Sequence, residues 1–194
     1  MKRNRPKYKQ IIEAAVEVIA ENGYHASQVS KIASKAGVAD GTIYLYFKNK
    51  EDILVSVFKE KMGQFIDKIV MQINEKENAN EKLLTLIEMH FRQFADDHSL
   101  AVVTQLELRQ SKLDLRIQIN SVLKPYLTVI DSIIQEGIQE QIFKENLDPR
   151  LVRQMIFGTL DETVTNWVMK EHKYNLVNQA DDVHALITNG LSVN

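Results

Sequence analysis

Gly41, Thr42, Tyr44, Tyr46 and Lys50 gather the most suggestive chemistry of this 194-residue chain into ten positions. The Thr42 hydroxyl can bond a base edge or touch a thymine methyl, and Gly41 beside it lets backbone come close to the same edge. The phenols of Tyr44 and Tyr46 and the ammonium of Lys50 are donors for phosphate oxygens. Phosphate contacts fix register and base contacts read sequence, so this combination points to double-stranded DNA. The competing reading is a small helical subdomain whose tyrosines merely close over its own core.

A second group is Arg109, Lys112 and Arg116, placed across the junction of two predicted helices, where free amides at a helix start add positive potential. Cations beside an apolar interior suit a guest with a phosphorylated head and a greasy tail. Phe91, Phe94, Leu106, Tyr126, Met155, Phe157 and Trp167 are candidate walls. Equally, the three cations are ordinary surface partners for Glu107, Asp114 or Glu145. Asp161 and Glu162 interrupt an apolar stretch and would suit a cationic guest instead.

Catalysis finds less support. The chain has no cysteine, which excludes thiolate metal sites and thiol nucleophiles. It has no Gly-rich phosphate loop, no G-x-S-x-G and no H-E-x-x-H. Asp96-Asp97-His98 reads as a polar turn, because adjacent side chains diverge, and His90 as a packed imidazole in an amphipathic helix. No catalytic residue, metal ligand or resident cofactor is assigned, and an enzyme remains the different-class alternative.

The DNA-directed residues need a rigid mount, and Ser27–Glu51 supplies its pattern. Val29, Ile32, Ala33 and Ala36 share one helical face, with Ser27 placed as cap and Gly37 as the left-handed stop. The next helix turns Val38, Ile43 and Phe47 inward and leaves Thr42, Tyr44 and Tyr46 outside. Two short helices joined by a tight turn form a helix-turn-helix. Asn49 and Asp52 make a capping pair that opens a long helix to about Glu75. A helix from about Lys7 to Gly23 backs the motif, and the tail carrying Lys2, Arg3 and Arg5 reads as solvated.

Further helices are predicted over about 81–96, with Asn80 as cap, then 99–109, a long one containing Pro125, one opened by Asp148-Pro149, and a last one over about 176–191. The chain is therefore all-α with about nine helices, a three-helix DNA-binding head at 1–50 and a ligand-binding and dimerisation domain at 51–194. The last two helices carry more apolar surface than one neighbour can cover, which suits a homodimer joined by a four-helix bundle. Residues 1–50 hold nine Lys/Arg against four Asp/Glu, and the remainder 15 against 22. A positive head on a negative body presents one end to a polyanion. The basic N-terminus leads into an amphipathic helix rather than an apolar signal core, and no run is long enough to span a membrane, so a cytoplasmic address is expected.

Gly23-Tyr24, Ile32-Ala33, Ala36-Gly37-Val38, Gly41-Thr42-Ile43-Tyr44, Tyr46-Phe47, Lys50-Glu51 and Leu54 together resemble the head of the TetR family of bacterial repressors. That resemblance implies DNA-facing roles at Gln28, Ala39, Gly41, Thr42, Tyr44, Tyr46 and Lys50. The chain departs from the family at Ser27-Gln28 and Ala39, where members often carry Thr-Thr and Ser. It also implies a dimer that leaves its palindromic operator when the helices behind the head take up a ligand. Val102–Arg116 and Phe157–Met169 resemble the TetR-type regulators of fatty-acid metabolism, which repress fatty-acid degradation genes and take long-chain acyl-CoA as effector. On that resemblance the phosphates go near Arg109, Lys112 and Arg116, and the acyl chain near Phe91, Leu106, Tyr126, Phe157 and Trp167. A drug-responsive efflux repressor is the same-class alternative.

Overall fold

The computed structural model describes residues 6–193, so the predicted tail of Lys2, Arg3 and Arg5 lies outside the described residues. The described chain runs α1 (Pro6–Asn22), α2 (Val29–Lys35), α3 (Asp40–Ile43), α4 (Lys50–Ile73), α5 (Ala79–Ala95), α6 (His98–Glu107), α7 (Leu113–Gln139), α8 (Pro149–Met169), a 3-10 turn (Val177–Gln179) and α9 (Ala180–Leu191). Packing divides it into two compact units. One holds the residues up to Gly63 together with His98–Val122; the other holds Gln64–Asp97 and the chain from Leu123 onward.

In the first unit, α1 buries Ile11, Ile12, Ala15, Val16 and Ile19, the stripe its spacing predicts. Gly23 and Gly37 stop α1 and α2 with φ of 73° and 65°, values that cost glycine little. Ser27 is not the cap of α2. Gln28 holds that position without a side-chain bond, while the buried Ser27 hydroxyl shares its proton between the carbonyls of Gly23 at 2.7 Å and Val18 at 3.1 Å. The hydroxyl is turned inward, where a buried donor needs an acceptor, and these two carbonyls supply it. Asn49 does cap α4: its Oδ1 accepts the Asp52 N–H at 2.8 Å, and the Asp52 carboxylate returns to the Lys48 N–H at 2.9 Å.

α6 buries Leu100, Ala101 and Val103 and carries a buried carboxylate at its end. α6 packs along α1, and Glu107 at its end accepts the Tyr24 N–H at 2.9 Å and the Gln110 amide at 2.5 Å. A buried charge requires such donors, so the pair pins the end of α6 to the turn after α1.

In the second unit, α5 is capped by Asn78, not Asn80. The Glu81 N–H donates to Asn78 Oδ1 at 3.0 Å, and the Glu81 carboxylate accepts the Glu77 N–H at 3.2 Å. The start moves two residues upstream because Ala79 is fully buried and its N–H is taken by Glu140 at 2.9 Å. Asp148 caps α8 through the Arg150 N–H, with Pro149 in the first turn. Pro125 lies inside α7. On α8, Val152, Ile156, Leu160, Val164 and Trp167 form the buried stripe, and Leu176, Ala180, Val183 and Leu191 are buried at and around α9. These serve the subunit's own core. The apolar groups left outside are Leu151, Met155 and Met169 on α8 and Leu186 on α9.

Candidate nucleic-acid interface and effector residues

Ile43 and Phe47 anchor the short reading element from inside: both are buried, and the Phe47 ring stacks on Tyr8 with centroids 5.3 Å apart. With α3 only four residues long, the chain continues through a turn held by Leu45 N–H to Thr42 O at 3.2 Å and Tyr46 N–H to Ile43 O at 3.0 Å. This leaves Gln28, Ala39, Gly41 and Tyr44 exposed and Thr42 and Tyr46 half-buried. Tyr46 leans toward Tyr8, with centroids 6.3 Å apart. Leu45, absent from the residues singled out by sequence, is 65% exposed in the same turn, against 58% for Tyr44.

Lys50 has a different occupation from the expected phosphate contact. Its ammonium donates to the carbonyls of Tyr24 at 3.0 Å, His25 at 3.0 Å and Ser27 at 3.1 Å, and sits 4.7 Å from the centroid of the Tyr24 ring. An ammonium has three protons, so all are engaged within the protein. The turn between α1 and α2 has carbonyls that no helix ladder uses, and Lys50 ties them to the first turn of α4. Burial, then the charges of Glu51 and Glu107, push the Tyr24 phenol up to about 12, so it stays a neutral surface for that cation.

Leu106, Arg109, Lys112 and Arg116 lie exposed at the end of α6 and the start of α7. Lys112 and Arg116 are one turn apart, joined by Arg116 N–H to Lys112 O at 3.0 Å, and so share a side. Lys112 pairs with Glu51 of α4 at 2.7 Å, a partner that sequence did not suggest; this bond and the Glu51 charge raise its pKa. Glu107 is unavailable to these cations because it is buried against Tyr24 and Gln110.

The second unit gathers Tyr126, Phe157 and Phe91 around a histidine. His90 Nδ1 lies 2.9 Å from the Tyr126 hydroxyl, and the rings of Phe65, Phe91 and Phe94 stand 5.2–6.2 Å from the imidazole. Phe157 meets Tyr126 edge-on at 6.3 Å. Burial depresses the imidazole to about 3, so it is neutral, and its Nε2 is buried with no hydrogen-bond partner among the described residues. Burial, then the charge of Asp161, raises the Tyr126 phenol. A polar pair thus sits inside an aromatic wall, buried in the core of this unit. The signal was in the sequence, since His90 falls on the stripe of Leu83, Ile87 and Phe94. Trp167 is engaged elsewhere: its indole N–H donates to Tyr174 O at 2.8 Å and its ring meets His172 at 4.3 Å. Among the described residues no cluster of His, Asp and Glu could hold a metal ion, and no helix is long and apolar enough to cross a membrane.

Comparison with known proteins fits this geometry. Residues 11–57 match the family model for bacterial regulatory proteins of the tetR family, and residues 58–190 match that for the C-terminal region of YsiA-like proteins. The chain is 65% identical over 191 residues to the fatty acid metabolism regulator protein of Bacillus subtilis (strain 168), covering 98% of each. It is similar to the crystal structure of the transcriptional regulator FadR from Bacillus subtilis in complex with stearoyl-CoA, with a TM-score of 0.93 at 65% identity, covering 94% of this chain and 98% of that one. The fatty acid degradation regulator FadR from Bacillus halodurans is similar too, with a TM-score of 0.92 at 61% identity over 95% and 99% of the two chains.

Proposed function

The chain belongs to the TetR family of bacterial regulatory proteins, and from that premise we propose that it represses fatty-acid degradation genes, binding a palindromic operator as a homodimer and leaving it on taking up long-chain acyl-CoA. The observation that carries this is the likeness, at 65% identity over nearly the whole chain, to a regulator crystallised with stearoyl-CoA. It acts by binding and not by catalysis, and it works in the cytoplasm, where its DNA is.

Residues 1–50 carry the DNA contacts in this reading, through the exposed Gln28, Ala39, Gly41 and Tyr44 and the half-buried Thr42 and Tyr46. A two-fold dimer reads two half-sites about 34 Å apart, so any change in that span lowers affinity. Residues 51–194 take the effector and the partner. The exposed stripe of Leu151, Met155 and Met169 on α8, with Leu186 on α9, suits the two-fold contact, since it would otherwise leave large apolar groups in water. On their chemistry, Arg109, Lys112 and Arg116 suit the phosphates, and Phe91, Tyr126 and Phe157 suit the acyl chain.

Coupling has a physical carrier close to those cations. Arg109 follows Glu107 by two residues, and Glu107 holds the backbone of Tyr24, whose ring and carbonyl hold Lys50. A shift at the end of α6 therefore disturbs the mount of the reading element directly. Calorimetric titration with stearoyl-CoA and, separately, with a lipophilic cation tests the effector class. Heat with the thioester alone is expected; heat with the cation alone would instead indicate a drug-responsive repressor.

A further inference from the structure

Leu45 is a large apolar side chain, 65% exposed, in the element that meets DNA, while its neighbours on the inner side, Ile43 and Phe47, are buried. Its N–H donates to the Thr42 carbonyl at 3.2 Å. In so tight a turn, residues three apart project side by side, which sets Leu45 next to the hydroxyl already assigned to a base edge. Leucine has no donor for a phosphate or a base acceptor. The surroundings, a head with nine Lys/Arg against four Asp/Glu, select a polyanion as the occupant. In the major groove the apolar feature of the base edges is the thymine C5 methyl.

We propose that Leu45 is a specificity-determining residue that packs on a thymine C5 methyl in each operator half-site, beside the base pair reached by Thr42. This rests on the operator-binding reading given above. It makes one thymine per half-site a requirement set by its methyl group and not by hydrogen bonding.

The test uses the full-length protein. Duplexes it binds are first selected from random DNA, and each thymine is then replaced by uracil, which removes the methyl and keeps every hydrogen-bonding group. The wild type is expected to lose roughly fourfold in affinity for one methyl removed and more than tenfold for the symmetric pair, the value of burying a methyl-sized group. Leu45→Ala is expected to bind thymine and uracil duplexes equally at that position while keeping its other preferences. Sensitivity to no thymine methyl in the wild type, or the same sensitivity in Leu45→Ala, would overturn the proposal and leave operator binding intact. Failure to select any duplex would overturn the operator-binding reading itself.

Discussion

Replacing Lys50 by methionine removes the ammonium while keeping the length of its stem, and the outcome separates two roles for this residue. Three charge-assisted bonds to Tyr24, His25 and Ser27 carbonyls are lost, two of them part-buried and one exposed. A hydrogen bond to a charged group contributes about 1.5–3 kcal/mol, but these three share one cation and water can take over the exposed carbonyl. The bonds together are therefore worth about 2–3 kcal/mol, and contact with the Tyr24 face adds about 0.5–1 kcal/mol. For a chain of this size such a loss lowers the thermal midpoint of the free protein by roughly 10 °C. Operator binding should weaken too, because the mount of the reading element loosens, yet the dependence of affinity on salt should keep its slope. A direct phosphate contact behaves in the opposite way: the midpoint holds and the slope falls by about one per head. Scanning calorimetry and a salt series of fluorescence anisotropy decide it, and an unchanged midpoint with a shallower slope would refute the structural role.

Three further outcomes follow from other parts of the molecule. The unfolded chain protonates the His90 imidazole near 6.5 and the folded chain only near 3, so stability is lost as pH falls through that window, by about 2 kcal/mol at pH 5; His90→Leu should flatten that share of the urea midpoint between pH 7 and 5, and an unaltered slope would contradict the assignment. A Cβ on Gly137 would stand 2.1 Å from the Phe143 ring, so Gly137→Ala should cost about 2 kcal/mol in chemical denaturation and recover much of it when Phe143→Leu is added. Met155 is 64% exposed on the outer stripe of α8; Met155→Asp should weaken the dimer roughly a hundredfold by burying an unpaired carboxylate, seen by light scattering as monomer at micromolar concentration with helix content unchanged by circular dichroism.

Features written in neighbouring residues were legible without coordinates. Gly37 as a left-handed stop, Asn49 as a cap, and Asp148-Pro149 as a helix start depend on backbone groups within a few positions. Lys50 and Glu107 have partners far along the chain. Lys50 finds its carbonyls 23–26 residues away and Glu107 its amide 83 away, and neither distance leaves a trace in spacing. The choice between Asn78 and Asn80 turned on the burial of Ala79 and its bond to Glu140, again a long-range matter. Leu45 left no such mark for another reason: an apolar side chain has no donor to point to DNA, although its place between inward Ile43 and Phe47 was visible.

The most direct measurement places both ligands on one dimer. Anisotropy of a labelled, selected duplex should show operator affinity falling at least tenfold at saturating stearoyl-CoA, and stearoyl-CoA affinity falling by the same factor at saturating operator, since coupling between sites is reciprocal. A protein that binds both and lets neither alter the other would contradict the account.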